Sequence, residues 1–104
     1  MSRTSNLIER YPERVPVIVK SLVRGDALPI KKSKFLVPRE ITAQKLVHIL
    51  TGYIPDLKPE QSVFFFVKNN IVGGLDSVEE MYRKHKQDDG FLYLTYTTEN
   101  TFGR

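Results

Sequence analysis

Few residues in this chain have the types and spacing that chemistry needs. His48 and His85 are its two imidazoles, and no cysteine accompanies them, so disulfides, thiol nucleophiles and Cys-based zinc sites are excluded. The histidines fall in separate segments with no triad around them, which fits surface or packing roles better than ligation or proton transfer. Gly25, Gly73 and Gly74 lack both the spacing of a phosphate-cradling loop and the Lys-Ser/Thr that follows in one. Asp88-Asp89-Gly90 is turn chemistry, and two adjacent carboxylates make a poor calcium site. The C-terminal stretch is more suggestive: after the apolar run Phe91–Tyr96, a polar segment Glu99-Asn100-Thr101 leads to Phe102-Gly103-Arg104. An aromatic, a glycine and one basic residue have the look of a processing site, although most chain ends are merely frayed.

The elements that would carry these residues must come from one domain. The chain has 104 residues, 40% of them hydrophobic and 27% charged, which places it in the ordinary globular range with room for one modest core. We divide it into a short helical arm over 1–10, a folded domain over 11–98 and a flexible tail over 99–104. A net charge of +4 and a pI near 9.4 suit acidic partners, whether peptide, anionic lipid or nucleic acid. Aromatic residues do not interleave with bases along one face, so nucleic acid is not expected among them. No apolar run approaches the roughly 20 residues that span a bilayer, and Met1–Asn6 is followed by no signal-peptide core. A soluble, cytoplasmic monomer without metal or cofactor is the expectation.

Thr4 or Ser5 can cap a brief helix over Asn6–Arg10, which Pro12 ends. Arg14–Val19 is β-branched and apolar with Pro16 near its start, where a missing donor is best tolerated, and reads as a strand. Gly25–Pro29 turns the chain toward a second strand, Phe35–Pro38, preceded by Lys31, Lys32 and Lys34; the two strands should pair antiparallel. Thr42 caps a helix over Ala43–Thr51 in which Leu46, Ile49 and Leu50 recur at helical spacing. Ser62–Val67 is continuously apolar and reads as a buried central strand. Asn69-Asn70 and Gly73-Gly74 turn the chain into a second helix over Ser77–Lys86, before a last strand over Phe91–Tyr96. The order β-β-α-β-α-β is α+β: a ubiquitin-like β-grasp with a four-stranded mixed sheet and helices packed on it.

The residues also carry a resemblance. Tyr11-Pro12-Glu13-Arg14-Val15-Pro16-Val17-Ile18-Val19, Lys34-Phe35-Leu36-Val37-Pro38, Phe64-Phe65-Phe66-Val67, Met81-Tyr82-Arg83-Lys84-His85 and Asp89-Gly90-Phe91-Leu92-Tyr93 closely resemble the autophagy-related protein eight family, the GABARAP and light-chain group of ubiquitin-like modifiers. The match runs from about Leu7 to Gly103. It implies a protein that is no enzyme itself. A cysteine protease trims it to a terminal glycine, and activating and conjugating enzymes attach that glycine to phosphatidylethanolamine on autophagosomal or other vesicle membranes. The matching glycine is Gly103, with Arg104 the residue removed and Phe102 a handle for the protease. Glycine suits the step because it has no Cβ to obstruct a narrow active-site channel.

The resemblance further implies a groove that binds aromatic-x-x-aliphatic segments of cargo receptors and adaptors by strand addition. Its first pocket, for the aromatic, would be lined by Leu7, Pro16, Ile18, Lys34, Leu36 and Phe91. Its second, for the aliphatic residue, would be lined by Phe35, Val37, Pro38, Ile41, Leu46 and Ile49. Arg14, Lys32 and Lys34 would meet acidic residues flanking the motif. Without the resemblance, the lysines simply blunt a sheet edge, and Leu46 and Ile49 are simply core. The sequence departs from the family in three places: only about ten residues precede Tyr11, Thr51-Gly52-Tyr53 stands where basic residues are common, and Val72-Gly73-Gly74 stands in place of paired prolines. An alternative keeps the fold without conjugation, as an adaptor in intracellular trafficking or microtubule association.

Overall fold

The computed structural model describes residues 12–22 and 28–100. The expected N-terminal helix, Leu7, most of the turn around Gly25 and the tail from Thr101 to Arg104 lie outside the described residues. In order, the elements are β1 (Arg14–Ser21), β2 (Lys34–Pro38), α1 (Ala43–Thr51), β3 (Gln61–Val67), β4 (Asn70–Ile71), α2 (Val78–His85) and β5 (Leu92–Asn100).

The strands form one mixed sheet in the order β2-β1-β5-β3-β4. β1 and β5 run parallel at its centre, while β2, β3 and β4 pair antiparallel with their neighbours. This is the expected α+β plan with five strands in place of four. The additional strand β4 follows a two-residue hairpin turn in which Lys68 and Asn69 both hold positive φ, 48° and 73°, as a type I′ turn requires. Lysine is an unusual occupant of that position, so the sequence signals the turn one residue late, at Asn69-Asn70. β5 also outruns its expected end at Tyr96. Thr97 and Thr98 suit a pleated strand, and pairing with β3 continues through Ser62–Glu99 to Gln61–Asn100.

The period of two sorts the sheet into faces. Val15, Val17 and Val19, Phe35 and Val37, Phe65 and Val67, and Leu92, Leu94 and Tyr96 are buried on one side, in one cluster with Ala43, Leu46 and Leu50 of α1 and Val78 and Met81 of α2. The other side carries Lys34, Leu36, Ile18, Tyr93 and Phe64, all half-buried or exposed. Phe64 is 37% exposed, so the apolar run of β3 is not a wholly buried strand: every second residue turns away from the helices.

Both helices begin as their sequences indicate. The Thr42 hydroxyl accepts from Lys45 N–H and the Ser77 hydroxyl from Glu80 N–H, each at 3.1 Å, satisfying donors that a helix start leaves orphaned. The two starts also satisfy each other: Ala43 N–H donates to Asp76 O and Val78 N–H to Ile41 O, both at 2.8 Å, and Thr42 and Ser77 form an antiparallel bridge. Gln44 N–H reaches Gly74 O at 3.0 Å, and Gly74 holds a φ of 98° that only glycine adopts without strain. Glu79 and Glu80 in the first turn of α2 and Arg83, Lys84 and His85 in its last match the helix dipole.

Candidate functional site

β2 lies at one end of the sheet with β1 as its single neighbour, so one edge of it is open. Which of its groups face that edge follows from the ladder. Val19 N–H donates to Ser33 O at 2.8 Å and Arg39 N–H to Glu13 O at 3.1 Å, on the same register as Val17–Phe35 and Val15–Val37. Bonded and non-bonded pairs alternate in an antiparallel ladder, so Lys34 and Leu36 aim their N–H and C=O groups outward. Pro16 stands opposite Leu36 in a non-bonded pair, and the register with β5 begins one residue later at Val17. Its missing N–H therefore interrupts neither ladder.

Beside this edge is a cleft of about 400 Å³ lined by Arg14, Pro16, Val17, Lys32, Lys34, Phe35, Leu36 and Phe91. Val17 and Phe35 are buried and give it a floor. Leu36 and Phe91 form apolar walls, and Arg14, Lys32 and Lys34 surround the mouth with positive charge. The two ion pairs among the described residues, Arg39–Glu79 and Arg83–Glu79, involve none of these three. The Arg14 guanidinium instead donates to Leu36 O at 3.3 Å. Lys32 Nζ lies 5.2 Å from the centroid of the Phe35 ring, whose other neighbour is the Tyr53 ring, packed edge-on at 5.0 Å.

The Phe91 wall is held from behind. One Asp89 carboxylate oxygen accepts the Phe91 N–H at 3.0 Å and the other accepts the Tyr93 hydroxyl at 2.6 Å, while the Phe91 and Tyr93 rings meet edge to face. The Tyr93 hydroxyl, and then the Phe91 amide, hold the Asp89 carboxyl below its ordinary value; the same carboxylate holds Tyr93 above its own. Gly90 between them has a φ of 86°, and its carbonyl accepts the Tyr82 hydroxyl at 2.6 Å, tying the turn to α2. Burial raises Tyr82 above its usual value.

Of the residues expected in the first pocket, Pro16, Lys34, Leu36 and Phe91 come together in this cleft, with Arg14 and Lys32 beside them. Ile18 is half-buried one residue pair further along β1, opposite Lys34, and does not line it. Of those expected in the second, Phe35, Val37 and Leu46 belong to the core cluster, while Pro38, Ile41 and Ile49 are half-buried. Sequence reasoning passed over Val17 as floor and Tyr53 as the prop of Phe35; a ring packed across 18 residues of chain leaves no local signal. His48 sits apart, on α1 beside a wide polar depression with Thr42, Gln44 and Lys45. No group of three or more His, Cys, Asp or Glu that could hold a metal occurs among the described residues, and none of their helices is long and apolar enough to cross a membrane.

The family model described as autophagy protein Atg8, ubiquitin-like, matches residues 1–103. The chain belongs to the Atg8 family. Autophagy-related protein 8a of Arabidopsis thaliana is 42% identical over 103 residues, covering 99% of this chain and 84% of that protein. Autophagy-related protein 8 of Dictyostelium discoideum is 40% identical over 94 residues, covering 90% and 77%. Among solved structures, Trypanosoma brucei ATG8 superposes with a TM-score of 0.83 at 31% identity, over 96% of this chain and 85% of that one. Plasmodium falciparum Atg8 in complex with a Plasmodium falciparum Atg3 peptide superposes with a TM-score of 0.81 at 28% identity, over 90% and 83%. This is a ubiquitin-like autophagy protein of the Atg8 family.

Proposed function

We propose that this Atg8-family chain is a membrane-conjugated modifier and peptide receptor. Removal of Arg104 by a cysteine protease frees the Gly103 carboxylate. Activating and conjugating enzymes pass that carboxylate to phosphatidylethanolamine, and the anchored domain recruits cargo receptors and adaptors to autophagosomal or other vesicle membranes from a cytoplasmic pool. Family membership supports the conjugation half, and the Atg3 peptide held by the Plasmodium falciparum relative supports a conjugating enzyme among the partners. The lipid's two acyl chains, at about 0.8 kcal/mol per buried CH₂, supply a durable anchor where a single chain would not.

The observation that carries the peptide half is the open β2 edge beside an apolar cleft with a cationic mouth. A strand added at Lys34 and Leu36 would drop its aromatic side chain between Leu36 and Phe91 over the Val17–Phe35 floor. Its aliphatic residue would rest on Pro38, Ile41 and Ile49, above Phe35, Val37 and Leu46. Arg14, Lys32 and Lys34 would meet acidic flanks. Conjugation is tested by intact-mass analysis of the protein recovered from membranes. The expected species lacks one arginine and carries one phospholipid, and Gly103→Ala removes it while peptide binding survives. Arg104 still attached in the membrane pool would contradict the proposal.

A further inference from the structure

Arg14 is placed to do more than attract acid. The groups that β2 offers an incoming strand are few: the N–H and C=O of Lys34 and of Leu36, and the carbonyl alone of Pro38, which has no N–H. One of them, the Leu36 carbonyl, already accepts a bond from Arg14 Nη1 at 3.3 Å. Arg14 comes from β1, where it stands opposite Pro38, so its side chain crosses β2 to reach the outward-facing carbonyl. Neither ion pair among the described residues involves it. The guanidinium is therefore held by one bond to a neutral acceptor, a weaker partner than a carboxylate, which would add opposite charge and accept two parallel bonds.

We infer that Arg14 is a latch on the open edge, which selects acid-bearing peptides by penalising neutral ones. This inference rests on the peptide-groove reading above. A neutral strand must displace the guanidinium from the Leu36 carbonyl and leaves it with solvent alone. A strand with an acidic residue beside its motif gives the guanidinium a better partner in the same step, and the carbonyl is released to accept the strand's N–H. Specificity then contains a repulsive element as well as an attractive one. The latch also covers part of an edge that would otherwise invite pairing with another copy.

The distinguishing experiment is calorimetric titration of the full chain with two synthetic peptides that share one aromatic-x-x-aliphatic motif, one preceded by three aspartates and one by three serines. Wild type binds the aspartate peptide more tightly. Arg14→Ala binds the serine peptide about threefold more tightly than wild type does, the order expected for an exposed charged contact, and the aspartate peptide more weakly. Arg14→Met, which keeps the aliphatic stem, moves both affinities the same way. If the serine peptide binds either variant no better than wild type, Arg14 is an attractor only and the latch is wrong. If wild type binds neither peptide, the groove reading fails and the latch falls with it.

Discussion

Asp89 shows how much of the cleft depends on single atoms. Its two oxygens take the Phe91 amide and the Tyr93 hydroxyl, both bonds favour the ionised carboxylate, and its pKa lies below the ordinary value. A lowered folded-state pKa means that the stabilisation is fully present at neutral pH and is lost as pH falls through that folded-state value. Tyr93→Phe removes the larger cause, so an NMR titration of the Asp89 carboxyl should move its pKa up toward the ordinary aspartate range. An unchanged value would mean that the tyrosine does not set it. These bonds were hidden in the sequence, where Asp88-Asp89-Gly90 reads only as a turn. The turn is there, but which of two adjacent aspartates faces the Tyr93 hydroxyl depends on the φ of Gly90 and on the start of β5.

Among the elements, the helices were the most legible. Thr42 and Ala43–Thr51 fold as their pattern indicates, because a capping hydroxyl and apolar residues three and four apart are local signals. β4 and the end of β5 were less so: one depends on positive φ at a lysine, the other on a partner strand over thirty residues away. The mutual closure of the two helix starts was not legible at all. It carries a prediction at this scale. Thr42→Ala and Ser77→Ala should each destabilise the domain by about 1 kcal/mol in urea unfolding. Because the two caps are bridged, the double variant should depart from the sum by about 0.5 kcal/mol or more. Strict additivity would mean that the caps act independently.

The whole molecule has two chemically different sides. The helices cover one face of the sheet, and the cleft lies at the far end from β4, on the open edge of β2. Period-two alternation foretold that Lys34 and Leu36 would part from Phe35 and Val37, and the burial of Phe35 and Val37 agrees. The resemblance, not the pattern, gathered Pro16, Leu36 and Phe91, which come from three separate strands or their approaches. Tyr53 behind Phe35 could be found by neither, since the two rings meet edge-on from segments far apart in the chain.

The central claim is that a peptide strand adds to β2 at this cleft, and it is tested most directly by titrating isotope-labelled full chain with an aromatic-x-x-aliphatic peptide while following every backbone amide. The account predicts the largest shifts at Lys34 and Leu36, with Phe91 and Arg14 moving beside them and Asn70-Ile71 on the opposite edge undisturbed. Shifts centred on Phe64 and Ile71, or none anywhere, would contradict it.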